Sequence, residues 1–227
     1  MGYWYHTRNR RWIYGAMMKN RLILVGCGDF GRELINWADD AADAGACQKL
    51  SGFLDDNIAA LENYSYELQY LGSVDAFTPV NGDLFVIGIA NPETKRFIVQ
   101  KLKAKGANFC KLIHPSAVIA KTAVLGEGVV VCPHAVISAD VYVGDFVAIN
   151  GLSSIGHDAK IGSFTTLSAH VDITGFVQVG ESVFFGTGAK ILPKVKIGNK
   201  STIGAGTTIM RSVPEGAVMY ALPAKRL

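Results

Sequence analysis

Two places in this chain combine residues that could do chemistry. The first is Ile155-Gly156-His157-Asp158. An imidazole changes charge near working pH, and an adjacent carboxylate favours its proton-accepting tautomer and steadies the imidazolium, as a general base requires. Gly175 follows His157 by 18 residues. If the fold stacks residues 18 apart, its N–H could meet a developing oxyanion, with Ala139 on the other side of the histidine. The same histidine would equally suit an exposed turn with no chemical role.

The second place is Gly26-Cys27-Gly28-Asp29-Phe30-Gly31, preceded by the apolar run Leu22-Ile23-Leu24-Val25. A helical stretch follows from Arg32 to Ala44, with Leu34, Ile35 and Trp37 as its apolar contacts. Strand, GxGxxG and helix in that order form a nucleotide-phosphate fingerprint: the glycines permit a tight turn and close backbone approach, and the helix N-terminus faces the anion. A second strand, Gly52-Phe53-Leu54, ends in Asp55-Asp56, carboxylates able to accept from a ribose or base. A third, Leu84-Phe85-Val86-Ile87, runs into Gly88-Ile89-Ala90-Asn91-Pro92 and a helix carrying Lys95 and Arg96. The alternative is a tight strand-to-helix turn that holds no ligand.

The element that must carry His157 is written in the spacing. Ile, Leu, Val or Phe recurs at every sixth position from Ile119 to Ile209, sixteen anchors without a slip. Two residues before each stands a small or β-branched residue, as at Ala117, Ala135, Ser153 and Thr207. Glycine often follows the anchor, as at Gly126, Gly144, Gly156 and Gly204. Neither a helical period of 3.6 nor a strand period of 2 gives this pattern; a β-solenoid does. The anchors are expected to fill the core and the glycines to permit the corners. With three hexapeptides per coil and ~4.8 Å between strands, the stack is roughly five coils and about 25 Å tall.

Length allows two modest domains. The expected division is a basic, aromatic extension over 1–20, an αβ unit over 21–112, and the solenoid with its C-terminal tail over 113–227. The net charge is +3, but the extension alone carries Arg8, Arg10, Arg11 and Lys19 with no acid, so the body is near neutral and nucleic-acid binding lacks support. The extension reads as disordered, upstream of a start at Met17 or Met18. Its Tyr3, Trp4, Tyr5, Trp12 and Tyr14 offer a second reading as a membrane-surface anchor. No run of 18 apolar residues is present to span a bilayer. Cys27, Cys47, Cys110 and Cys132 show no CxxC spacing, which points to a reduced, cytoplasmic protein.

Other candidates are weaker. His134 and His170 are 36 residues apart, hence on one edge two coils apart, about 10 Å at ~4.8 Å per coil. That arrangement does not suit a three-histidine zinc site, and no metal is expected. The later coils are basic, with Lys190, Lys194, Lys196 and Lys200 against Glu181 and Glu215, counter-charges for a cofactor carrying several phosphates.

Leu24-Val25-Gly26-Cys27-Gly28-Asp29-Phe30-Gly31-Arg32-Glu33, then Phe53-Leu54-Asp55-Asp56, then a hexapeptide prism with Gly156-His157-Asp158, together resemble the NeuD/PglD family of sugar acetyltransferases. The resemblance covers about residues 21–227, through Val213-Pro214-Glu215-Gly216 and Leu222-Pro223-Ala224-Lys225. It implies a Rossmann-like nucleotide-binding domain followed by a left-handed parallel β-helix, assembled as a homotrimer with sites between neighbouring prisms. It implies acetyl-CoA as co-substrate and a nucleotide-linked amino sugar as acceptor, in bacterial surface-glycan (lipopolysaccharide or O-antigen) biosynthesis. His157 would be the base, Asp158 its tuning neighbour and Gly175 the amide facing the thioester carbonyl. Thr187 and Ala205 would line the acetyl-CoA groove, with Lys190 and Lys196 near its phosphates. Gly26, Gly28, Asp29, Phe30, Gly31, Asp55, Asp56, Gly88, Asn91 and Asn150 would hold the nucleotide sugar.

Direct attack without a covalent enzyme intermediate is implied, and N-acetylation of a 4-amino-4,6-dideoxy sugar is the favoured reaction. Three positions depart from the family pattern: Asp29-Phe30-Gly31 where many relatives have Gly-His-Gly, Thr166 where some carry a second histidine, and His170 where glycine is common. The other readings are O-acetylation of a sugar of the sialic-acid type, or a non-catalytic trimeric scaffold that binds a nucleotide sugar.

Overall fold

The computed structural model describes residues 20–222, so the expected extension over 1–20 lies, but for Asn20, outside the described residues. Five parallel strands open the chain: β1 (Arg21–Val25), β2 (Leu50–Leu54), β3 (Tyr70–Gly72), β4 (Asp83–Ile87) and β5 (Asn108–Phe109), in sheet order β3-β2-β1-β4-β5. Helix α1 (Asp29–Asp43) joins β1 to β2 and packs Phe30, Leu34 and Ala38 with Leu22, Leu24, Phe53 and Val86. Helix α2 (Pro92–Ala104) follows β4 and packs Ile98, Val99 and Leu102 with Ile23, Val25, Phe85 and Ile87. Alternate residues of β1 point to opposite faces of a strand, so each helix covers one face of the sheet. Helix α1 starts three residues earlier than the expected Arg32, because the glycine loop is shorter than its motif and Gly28 already serves as N-cap.

From β6 (Leu112–Ile113) to β23 (Val218–Met219) the chain winds as a left-handed parallel β-solenoid of two-residue strands. Its three faces are seven, six and five strands deep. The first face carries Ile113, Val131, Ile149, Leu167, Phe185 and Ile203. The second carries Ile119 to Ile209 by way of Ile155, and the third runs from Leu125 to Ile197. Partners are 18 residues apart, as in Ile137 with Ile155 and Ile155 with Ile173. The stack is longer than the anchors suggested because Ile113 already occupies an anchor position. At the other end Thr202 pairs with Val218, only 16 residues on, so the last coil is shorter by two and leaves the six-residue period.

The core is a column of anchors and their small companions, nearly all buried. The role expected of the glycines needs correction. The glycine after an anchor does not make the corner: a Cβ on Gly156 would stand 2.7 Å from Gly175 N, so it is glycine because the next coil stacks there. The left-handed residue comes two positions later and is mostly not glycine: Asp140, Asp158, Phe176 and Lys194 have φ of 60°, 60°, 61° and 66°.

The αβ unit covers the first face of the solenoid. Val130, Cys132 and Ala148 of that face join Phe30 and Leu34 in one cluster. Phe146 and Phe164, on the edge between the third and first faces, stack at 5.3 Å. Phe109 meets Phe146 edge-on, and the Arg96 guanidinium lies 4.4 Å over Phe164 while bonding Glu181 at 2.8 Å. His114 Nε2 lies 3.1 Å from Asp40 Oδ2 at the passage between the units. Among the described residues no helix is long and apolar enough to cross a membrane.

Candidate active site

His157 and Asp158 form the turn between the second and third faces. The left-handed conformation of Asp158, which short polar side chains tolerate better than bulky ones, turns its carboxylate back on the preceding ring. Asp158 Oδ2 stands 2.8 Å from His157 Nδ1. A proton held on Nδ1 by that contact leaves Nε2 as the acceptor. The histidine side chain is 59 % exposed, and Phe176 meets the ring edge-on at 5.1 Å.

Nε2 points across Gly175. A Cβ on Gly175 would stand 2.8 Å from it, so only a residue without a side chain leaves this space free. Backbone bonds from Asp158 N to Ala139 O and from Phe176 N to His157 O hold the three coils in register. Among the described residues the Gly175 N–H donates to no backbone carbonyl, whereas the Gly175 carbonyl accepts from Lys194. An acceptor for a proton, its orienting carboxylate and a free amide donor therefore share one edge.

The other residues expected at the co-substrate groove lie elsewhere on the prism. Thr187 and Ala205 stack on the edge between the first and second faces, where Thr187 O accepts from Gly206. One side of six residues, roughly 15–20 Å, separates that edge from His157. Lys190 is on the second face between Asp172 and Thr208, and Lys196 is on the third beside Gln178. Those two lysines both point outward but do not form one patch, because they stand on different faces with a corner between them. Spacing reasoning missed Phe176 as a neighbour of the histidine, although it follows Asp158 by 18 and was legible by the same rule.

The cleft at the carboxyl ends of β1, β2 and β4 is the second locus. Two cavities, of about 420 and 320 Å³, share Gly28 and Asp55. The larger also touches Gly26, Phe30, Gly88 and Ala90; the smaller touches Arg32, Asn57 and Tyr64. The neighbours of β1 run off to opposite sides, so the larger cavity lies where parallel αβ sheets bind ligands. Gly28 has nothing within 4 Å of a built Cβ, and no side chain caps α1 there. Its first N–H groups are free to meet an anion.

The remaining expected contacts sort differently from their listing in the motif. Gly31 and Gly88 are close-packing glycines: a Cβ on Gly31 would be built into the Gly26 carbonyl, and one on Gly88 would stand 2.9 Å from Gly31 Cα, while Gly26 makes the turn with a φ of 86°. Asn91, expected at the ligand, instead caps α2, its side-chain oxygen accepting from Thr94 N at 2.9 Å. Asp55 fastens its own loop, accepting from Cys27 N at 2.7 Å and Asn57 N at 2.8 Å, and Asp56 accepts from Val74 N. Asp29 is fully exposed and pairs with Arg32, while Phe30 is largely core. Asn150 sits one edge away from His157, beneath the αβ unit, with its oxygen 3.5 Å from the Cys132 thiol. Burial, with the Asp55 charge adding to it, pushes the Cys27 thiol up to about 12, so it stays protonated in the glycine loop.

The bacterial transferase hexapeptide family, in six repeats, matches residues 176–211. Over 121 residues the chain is 34 % identical to the UDP-N-acetylbacillosamine N-acetyltransferase of Bacillus subtilis (strain 168), a stretch that takes in 50 % of this chain and 51 % of that protein. The chain thus spans about half the length of this curated relative. Among solved structures, the acetyltransferase domain of PglB from Neisseria gonorrhoeae FA1090 in complex with acetyl coenzyme A is 27 % identical, with a TM-score of 0.79 over 92 % of this chain and 100 % of that one. PerB from Caulobacter crescentus, in complex with CoA and GDP-perosamine, shares the fold at 23 % identity and a TM-score of 0.75, over 90 % and 95 % of the two chains. In sequence and in fold, the chain is similar to sugar acetyltransferases of the NeuD/PglD type.

Proposed function

We propose that this chain transfers the acetyl group of acetyl-CoA to the amine of a nucleotide-linked amino sugar. The observation that carries the proposal is His157, with Nδ1 on Asp158 and Nε2 over the free amide of Gly175. As the acceptor nitrogen attacks the thioester carbonyl, its proton passes to Nε2. The Gly175 N–H faces the developing oxyanion. Collapse expels the CoA thiolate, which takes the proton back from the imidazolium. No covalent enzyme intermediate is needed, and the buried Cys27 offers no thiolate.

The unit over 21–112 serves as a Rossmann-like nucleotide-binding domain, its diphosphate at the α1 N-terminus, and the solenoid over 113–227 carries out the transfer. The relatives named above support N- rather than O-acetylation, since two of them are an N-acetyltransferase and a protein solved with an amino-sugar nucleotide. The protein works in the cytoplasm, where acetyl-CoA and sugar nucleotides are made, and its product feeds surface-glycan assembly.

Assembly as a homotrimer answers the separation of the edges. Thr187 and Ala205 lie on one border of the second face and His157 on the other. A three-fold axis facing that face would bring the His157 edge of one copy against the Thr187 edge of the next. Val118, Val136, Leu152 and Phe176 are exposed apolar residues on this face and its borders. The test is acetyl-dependent thiol release with UDP-, dTDP- and GDP-linked 4-amino sugars, alongside a light-scattering mass. Release with one such sugar from a particle of three chains is expected; release with none of them, or equal release with water alone, would end the proposal.

Replacement of Gly175 by Ala is a sharper check on the site. Gly175 does not adopt a positive φ, so the backbone accepts alanine, but the new methyl occupies the space before Nε2. Turnover is expected to fall on the order of 10²-fold, within the range that general-base assistance contributes, while thermal unfolding stays within a few degrees of wild type.

A further inference from the structure

Lys95 is the one charged side chain of α2 that is fully buried, at 2 % exposure, and no carboxylate faces it. Its Nζ donates to Thr165 O at 3.3 Å and to Thr166 Oγ1 at 2.9 Å, both on the first face of the solenoid. Thr166 Oγ1 in turn donates to Ala90 O at 2.7 Å. Ala90 belongs to the turn after β4 that walls the larger cavity, together with Gly88 and Thr94. Thr166 therefore ties the cavity wall to the solenoid, and its hydroxyl is in turn held by an amine with no counter-charge.

We propose that Lys95 and Thr166 form a latch that sets the position of the Gly88–Asn91 turn against the solenoid, and that this makes Lys95 a positioning residue for the nucleotide-linked ligand. This rests on the nucleotide reading given above. The two acceptors match the two N–H groups of a neutral amine. An ammonium would bring a third donor and a full charge into a space with no partner for either.

The surroundings bear this out. Burial is the sole cause acting on Lys95, and it lowers the amine from its ordinary value to about 7. Thr165, Thr166 and the adjacent rungs Ala148 and Phe184 carry no charge, nor does the Gly88–Asn91 turn. The next residue, Arg96, is turned to Glu181 and Ser182. The latch is closed with the amine neutral, above about pH 7, and protonation opens it. The linkage to folding has the same sign: the unfolded lysine takes up its proton below about 10.5, the folded one only below about 7, so stability falls as pH drops through that window and is level beneath it.

The experiment is calorimetric binding of UDP, GDP and dTDP from pH 6 to 8.5, with wild type, Lys95→Met, Lys95→Arg and Thr166→Val. For the nucleotide that wild type binds, affinity is expected to be level above pH 7 and to drop by up to about tenfold per unit below it, one proton being linked to binding. Lys95→Met should lose that dependence relative to wild type, any slope common to both belonging to the phosphates. Lys95→Arg, charged throughout, should bind weakly across the range. Thr166→Val, a variant that keeps the size of a buried strand residue, should weaken binding on the order of tenfold at pH 8. Binding by wild type with an unchanged pH profile in Lys95→Met, or with full affinity in Thr166→Val, overturns the latch alone. Failure of wild type to bind any of the three nucleotides overturns the nucleotide reading and the latch with it.

Discussion

Under the proposed function, a His157→Ala variant is expected to transfer acetyl 10²- to 10⁴-fold more slowly than wild type, the range that a positioned acid–base group contributes, and to bind the nucleotide as before. The imidazole stands on an edge of the solenoid, remote from the cleft at α1, and more than half its side chain is exposed. Its removal costs little packing beyond the contact with Phe176. Rate and binding should therefore separate cleanly. Steady-state kinetics at saturating acetyl-CoA, with calorimetry of the nucleoside diphosphate, checks both halves. A variant that turned over at the wild-type rate would remove His157 from the mechanism and leave a binding scaffold as the better reading. Asp158→Asn belongs in the same series: it keeps the shape but weakens the hold on the Nδ1 proton, so its loss should be smaller than that of the alanine variant.

Gly31→Ala is expected to damage the αβ unit more than any other single methyl added to the chain. The new carbon would be built into the Gly26 carbonyl, with the Gly26 carbonyl carbon at 2.9 Å and the Gly88 carbonyl at 3.5 Å. These are backbone atoms of the turn after β1 and of the turn after β4, and neither can yield as a flexible side chain would. Overpacking typically costs about 1–3 kcal/mol and more where the neighbours are rigid. That corresponds to a fall of roughly 2–12 °C in the unfolding midpoint of a chain this size, with loss of nucleotide binding. Thermal unfolding of the variant beside Gly28→Ala, whose Cβ would meet nothing within 4 Å, checks the claim. Comparable melting of the two would show that the close approach of β1, α1 and β4 tolerates a side chain.

That contrast between two glycines of one motif shows where the sequence stopped being informative. GxGxxG announced a strand, a turn and a helix, and all three are present. It did not say that Gly26 makes the turn, Gly31 is there for packing and Gly28 faces open space. Those roles depend on which backbone comes to lie opposite, and β4 arrives from more than 50 residues away. Asn91 misled for the same reason: an asparagine ahead of Pro92 is a natural helix cap, and the cap geometry, not proximity to the cleft, decides what its oxygen does.

The solenoid was far more legible. Its contacts are with the residue 18 positions away, so a period in the chain is already a map of neighbours. Anchors, small companions and the stacking of His157 under Gly175 follow from counting alone. The glycines after the anchors were found but assigned the wrong duty, since counting shows that they recur and not that the next coil crowds them.

The amino-acid order by itself thus determined the repeat, the faces, and the column in which histidine, aspartate and glycine meet, because each is a local or fixed-offset relation. Tertiary structure alone decided that the Lys95 amine is buried without a counter-charge, and that it lies against Thr165 and Thr166. These depend on how two units dock, and the docking surface joins residues some 70 positions apart, a separation at which no period in the sequence relates them.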